Sequence, residues 1–302
     1  MSSPADLTQI LAAVPGVRLV NSAELYPEHG SGLPLLQIAN AHGQAVVALQ
    51  GAHLISFVPA GGRDLLWLAP QARFSPGKAI RGGIPLCLPW FGGHPDKSRG
   101  LPAHGFARTS DWSLEEAQLL DDGRHRLVLG LKDTLLTREM WPHHFHFRFA
   151  ITVGRELDVE LLAEHHGHVP VTFTAALHTY FAVPEVADCV IEGLAGCEQI
   201  DTLDGIRRLR NDGDVRISNM HDSVYLDVPA EQRIVSAAGV TRIVSNTRSA
   251  VVWNPGTAAL KGGDIGAAYS GFVCVERGDV FDNAVTLNPG GVYRASMQLS
   301  AV

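Results

Sequence analysis

From residue 17 onward the apolar side chains recur with a period of two, in short runs separated by Gly, Pro, Asn and Asp. That period belongs to half-buried β-strands, whose successive side chains point to opposite faces. Leu35–Ile38, Ala45–Gln50, His53–Val58 and Asp64–Leu68 are the first such runs, with Asn40, Gly43 and Gly51 between the first three. Trp112–Glu115 and Arg126–Lys132 come next. Phe145–Val153 and Leu157–His165 are the longest, and the step Gly154-Arg155-Glu156 between them predicts a hairpin. Val171–Phe181, Val190–Gly193, Tyr225–Val228, Arg233–Ala237, Thr241–Ser245, Ala250–Trp253, Gly271–Val275 and Gly291–Leu299 continue the series. Asn254-Pro255-Gly256 and Asn288-Pro289-Gly290 supply turn chemistry. The polar stretch Leu194–Asp214, which carries Arg207, Arg208 and Arg210, reads as a solvated loop.

A helical period survives only in Met1–Gly16, where Leu7, Ile10 and Leu11 predict a short amphipathic helix ended by Pro15-Gly16. More than a dozen strands, hardly a helix, no repeat of 20–50 residues and no shift in composition predict an all-β chain. The expected architecture is a large antiparallel β-sandwich forming a single domain over residues 1–302.

One segment breaks the strand pattern. Arg81–Arg108 holds six glycines and four prolines, yet it also carries Ile84, Leu86, Leu88, Trp90, Phe91 and Phe106. It is too apolar for a solvated linker and too irregular for a strand. A long ordered loop inside a compact domain is usually functional. Here Arg81, His94, Arg99, His104 and Arg108 sit among the apolar anchors, which predicts a rigid loop aiming cationic and imidazole groups into a pocket.

Two other positions carry chemistry. In VTFTAALHTYF the alternation sets Val171, Phe173, Ala175 and Leu177 on one face and puts His178 on the other. In GFVCVERGDV, Glu276 closes the apolar run Phe272–Val275, where a strand would emerge from the core. An imidazole and a carboxylate at half-buried strand positions, beside arginines on a rigid loop, make an acid–base site in which protons move in opposite senses. The sequence leaves open whether the two meet, and each also fits a structural role: a cross-strand partner for His178, a surface pair for Glu276.

The net charge of −7 argues against a nucleic-acid or anionic-membrane partner, while still allowing an anionic small substrate. Cys87, Cys189, Cys197 and Cys274 form no CxxC pair and read as reduced core cysteines. The N-terminus lacks the basic region of a signal peptide, and no run reaches the ~20 apolar residues of a membrane helix. A cytoplasmic monomer is the expectation. His143, His144 and His146, with His165, His166 and His168, divide between strand faces and lack a carboxylate at ligand spacing, so no metal is expected. Dinucleotide, NTP and serine-hydrolase motifs are absent.

Five motifs in order, RGGIPLCLPWFG (81–92), LPAHGFAR (101–108), LHTYF (177–181), VVWNP (251–255) and VCVERG (273–278), resemble the glucose-6-phosphate 1-epimerase branch of the aldose 1-epimerase family. The resemblance spans most of the chain. It implies a galactose-mutarotase-like supersandwich and an enzyme that interconverts α and β anomers of a hexose 6-phosphate without cofactor or metal. It further implies His178 as general acid at the ring oxygen and Glu276 as general base at the anomeric hydroxyl. By the same resemblance Arg81 and Arg108 bind phosphate, His104 lines the sugar pocket, and Asp201 in QIDTLDG contacts sugar hydroxyls, with Asp204 competing for that role. The chain departs from the family pattern at Ala103, often Gln, and at Ile200, commonly Tyr. Trp90, Phe91 or Trp253 would stack on the sugar or belong to the core. A free-aldose epimerase and a non-catalytic sugar-binding module are the alternatives.

Overall fold

The computed structural model describes residues 4–30, 32–203 and 205–302. Two eight-stranded antiparallel sheets carry most of the chain. The first runs Arg207–Arg210, Glu198–Asp201, His221–Leu226, Ser249–Asn254, Phe272–Asp279, Ala175–Leu177, Leu86–Cys87, with Tyr180–Ala182 also paired to Phe272–Asp279. The second runs Val190–Glu192, Glu231–Ser236, Gly239–Ser245, Val292–Ala301, Leu157–His165, Phe145–Val153, His125–Lys132, Ser113–Leu119. A four-stranded sheet is built from Val17–Asn21, Pro34–Asn40, Gly43–Ala48 and His53–Pro59. The mostly antiparallel, sandwich-type architecture agrees with the period of two. Among the described residues no helix is long and apolar enough to cross a membrane.

Strand alternation decides which side chains form the core and which the site. Along Phe272–Asp279, Val273 and Val275 join one hydrophobic cluster with Phe149, Leu161 and Met297 of the second sheet, so the odd-numbered face lies between the sheets. Phe272 and Cys274 enter a different cluster with Trp67 and Tyr180. The even face therefore looks away from the inter-sheet core, and Glu276 lies on it. Arg277, on the odd face and fully buried, donates to the Gln232 side chain of the second sheet and to the hydroxyl and carbonyl of Thr247, in the connection that follows Gly239–Ser245. Its neighbour Glu276 takes no part in this.

Several local expectations change. The helix is Pro4–Ala12, shorter than Met1–Gly16, and residues 1–3 lie outside the described part. The hairpin strands Phe145–Val153 and Leu157–His165 have the expected bounds. Leu194–Asp214 is no simple loop: Glu198–Asp201 and Arg207–Arg210 pair as an edge hairpin, whose Arg207 and Arg208 are held by cross-strand carboxylates. Glu276 does not close its strand, which continues to Asp279. Val171–Phe181 is not one strand but three: Val171–Phe173, Ala175–Leu177 and Tyr180–Ala182. The physical reason is the glycine- and proline-rich segment. The N–H groups of Thr174, His178 and Tyr180 donate to the carbonyls of Pro89, Pro85 and Gly83. Prolines 85 and 89 return no N–H, so a ladder forms only at Leu86–Cys87.

Candidate active site

A cavity of about 490 Å³ opens on the even face of the first sheet. Its floor is His178 and Glu276, and its walls include Val224, Val251 and Trp253 from neighbouring strands. The 81–108 segment adds Arg81, Phe91, Gly92, Gly93 and His104. The sheet register explains the floor. Leu177 faces Arg277 and Tyr180 faces Cys274, so His178 falls opposite Glu276 across the same ladder. Directly opposed residues on one face lie within side-chain reach. Their Nδ1 and Oε1 atoms are 3.2 Å apart.

The contact is close but poorly aligned for a hydrogen bond, and His178 Nδ1 and Glu276 Oε2 are buried with no partner. Burial lowers the His178 imidazole pKa well below its usual value, reinforced by His104, Arg108 and Arg81. Burial raises the Glu276 carboxyl well above the usual range, and Asp222 adds to this while Arg108 opposes it. Each group thus resists carrying charge by itself. An ion pair across the 3.2 Å separation is therefore disfavoured. His178 is stacked on Tyr180, with ring centroids 4.9 Å apart and planes 3° from parallel, which fixes its orientation.

The irregular segment holds its groups by backbone geometry. Gly83 has φ 61°, and a Cβ there would meet the Leu54 carbonyl at 2.2 Å. Gly105 has φ 71°, and its Cβ would meet the Leu88 carbonyl at 2.0 Å. His104 is itself left-handed at φ 64°. Its N–H donates to Gly92 O at 2.6 Å and its Nδ1 accepts from Gly92 N–H at 3.3 Å. Burial, with Arg108 and Arg81 nearby, lowers its pKa to about 4, so the ring is neutral at pH 7. Arg81 donates to Tyr180 Oη at 3.1 Å and to Asp264 at 3.1 Å.

The structure does not bring every expected residue to the cavity wall. Arg108 donates to the Ala103 carbonyl at 2.9 Å and does not line the cavity, although its charge bears on His104, His178 and Glu276. Asp201 lies on the alternate face from Ile200 and Thr202 and is paired with Arg207 directly across the hairpin. Asp204 lies outside the described residues. His94 packs edge-on against Trp90, and Arg99 donates to the carbonyls of Glu139 and Met140. Trp90 is core, with its Nε1 donating to Pro102 O.

The lining residues missed include Thr202, Asp222 and Phe281. Asp222 carried the same signal as Glu276, a carboxylate in register with apolar Val224 and Leu226. Phe281 carried none; it occupies a left-handed turn at φ 54° and is 37% exposed. A second hollow of about 550 Å³ lies on the second sheet, but its Arg126, Asp158 and Glu160 are each engaged by surface ion pairs.

The sequence profile of aldose 1-epimerases matches residues 34–300. The chain belongs to the aldose 1-epimerase family. Among its relatives, an Escherichia coli K12 protein that bears the provisional name glucose-6-phosphate 1-epimerase is 38% identical over 251 residues, 81% of this chain and 82% of the relative. A Cenchrus ciliaris protein with the same provisional name is 34% identical over 272 residues, 85% of this chain and 81% of the relative. The crystal structure of a provisionally named mutarotase from Salmonella typhimurium superimposes with a TM-score of 0.82 at 31% identity, covering 97% of this chain and 98% of that one. This family member therefore shares both sequence and fold with mutarotase-type proteins over nearly its whole length.

Proposed function

We propose that the protein interconverts the α and β anomers of a hexose 6-phosphate, with glucose 6-phosphate as the reference substrate. The observation that carries this is His178 Nδ1 3.2 Å from Glu276 Oε1 on the floor of a cavity whose rim holds Arg81. The pair sets a proton donor beside a proton acceptor, which is what anomer exchange uses. Hydrogen bonds from a bound sugar favour the Glu276 carboxylate, and its ionisation leaves the proton on His178. Glu276 then takes the C1 hydroxyl proton, the C1–O5 bond breaks as C1=O forms, and His178 delivers its proton to O5. Rotation about C1–C2 and closure on the other face reverse both transfers. A positioned acid or base of this kind supplies about 10²–10⁴-fold.

The other residues divide by chemistry. Arg81 suits a phosphate because its planar guanidinium stays charged and binds oxyanions bidentately. His104, Asp222 and Thr202 are the polar groups available to sugar hydroxyls, and Trp253, Phe91 and Phe281 are the apolar surfaces for the sugar's C–H face. Arg108 acts on this reading through its field rather than by contact, and Asp201 supports the Asp222 strand from its neighbour. The chemistry asks for no cofactor or metal, and the four free buried cysteines fit a reducing compartment; a cytoplasmic, single-domain monomer completes the proposal.

A free aldose is the second reading, because Arg81 is already engaged by Asp264 at 3.1 Å. Exchange NMR on glucose 6-phosphate and glucose separates the two. Faster exchange of the phosphate ester alone supports the first, faster exchange of glucose the second, and no acceleration of either leaves only a sugar-binding role.

A further inference from the structure

We propose that His178, Cys274 and Glu276 also form a site for a thiophilic divalent cation, of the Zn²⁺ class, whose occupation shuts off the acid–base pair. Cys274 has no part in the chemistry above, yet it lies two residues before Glu276 on the same strand face. Across the ladder its partner is Tyr180, the residue stacked on His178. One imidazole nitrogen, the Cys274 sulfur and one carboxylate oxygen all lie within 4.8 Å of one another. Among the described residues this is the one group of three such side chains that compact. All three are buried, at 6%, 0% and 1% exposure.

The site also has atoms that lack partners. His178 Nδ1 and Glu276 Oε2 are both buried without a hydrogen bond, which is costly unless something else fills their valence. A nitrogen, a sulfur and an oxygen donor suit Zn²⁺, which takes four ligands in a tetrahedron. Bond lengths of about 2.0–2.3 Å place tetrahedral ligands roughly 3.3–3.8 Å apart, so the three side chains need close by no more than about 1 Å. His178 and Glu276 line the cavity, from which a water could complete the tetrahedron. On binding, two protons leave to solvent: that of the Cys274 thiol as the S–metal bond forms, and the one carried by the His178–Glu276 pair as the carboxylate and imidazole take up the ion. The ion holds the two groups that proton exchange needs, so metal and sugar exclude each other.

By contrast, the surface histidines His144, His146 and His166 are already engaged by Asp133, Glu115 and Glu164. The spacing of the sequence hid those carboxylates, and Glu164 is further engaged by His146 and Arg148.

The binding half of this inference stands apart from the epimerase reading, and the inhibition half rests on it. Titration of the purified chain with Co²⁺ should give a thiolate-to-cobalt charge-transfer band at one ion per chain, lost on adding Zn²⁺. Cys274→Ala should abolish the band while Cys87, Cys189 and Cys197 remain. Zn²⁺ should slow anomer exchange, chelation should restore it and Mg²⁺ should leave it unchanged. Cys274→Ala should raise the inhibitory zinc concentration by at least the roughly 10–100-fold that losing even an outer-shell partner costs. Cys274→Ser, closer in volume, serves the same comparison if the alanine variant unfolds. No band, a band that persists without Cys274, or equal zinc inhibition in parent and variant overturns the proposal. A band in a protein that accelerates no anomer exchange keeps the metal site and removes the epimerase reading instead.

Discussion

Glu276→Gln keeps the size of the floor carboxyl and removes its ability to exchange a proton. If Glu276 is the base, turnover should fall by about 10²–10⁴-fold, or roughly 3–5 kcal/mol of transition-state stabilisation. Stability should move the other way. Burial raises the Glu276 pKa above its ordinary 4.5, so the folded state resists ionising a group that the unfolded chain ionises freely. Below that ordinary value both states hold the proton and the group costs nothing. As pH rises through it, the unfolded chain releases its proton first and the folded state loses stability relative to it. Glutamine lacks that penalty, so the variant should match the parent near pH 4 and melt higher than the parent near pH 8. Exchange NMR and thermal unfolding at the two pH values read both quantities. A variant that melts lower than the parent at pH 8 would show an ion pair between His178 and Glu276 and refute the reading of two groups that resist charge. Turnover within about tenfold of the parent would remove Glu276 from the chemistry.

Arg81→Met should raise KM for glucose 6-phosphate by about 10–100-fold, the loss of one charge-assisted contact, with KM for glucose nearly unchanged; equal changes on both sugars would take the phosphate away from Arg81. Phe281 sits at φ 54° on the cavity rim, so Phe281→Gly and Phe281→Ala should both weaken substrate binding, and calorimetry should find the glycine variant the more stable by about 1 kcal/mol. Gly105→Ala would press a Cβ to 2.0 Å from the Leu88 carbonyl, so denaturant melts should show a loss of at least about 1 kcal/mol and the shift of His104 should raise KM. Arg277→Met would strand the buried acceptors of Gln232, Thr247 and Pro229, and urea unfolding should register a loss of about 3 kcal/mol or more with little effect on KM.

Local chemistry made the fold class legible. Alternation marked Phe145–Val153 and Leu157–His165 to the residue, because both strands are buried on one face only and carry their register in their side chains. It failed at Leu194–Asp214, where an exposed edge hairpin is stabilised by charge pairs such as Asp201–Arg207 and shows no apolar period. It also failed at Val171–Phe181, which breaks because its N–H groups are drawn to carbonyls of a segment some 90 residues earlier, a competition invisible within eleven residues of sequence.

The sequence by itself determined the candidates: the residue types of His178, Glu276, Arg81 and His104, and the glycines that only a left-handed backbone explains. Only the tertiary structure decided which of them meet. His178 and Glu276 lie 98 positions apart, and what puts them 3.2 Å apart is the register of two antiparallel strands. The same register turns Asp201 away and brings Asp222 to the cavity, because a shift of one residue along a strand exchanges one face of the sheet for the other.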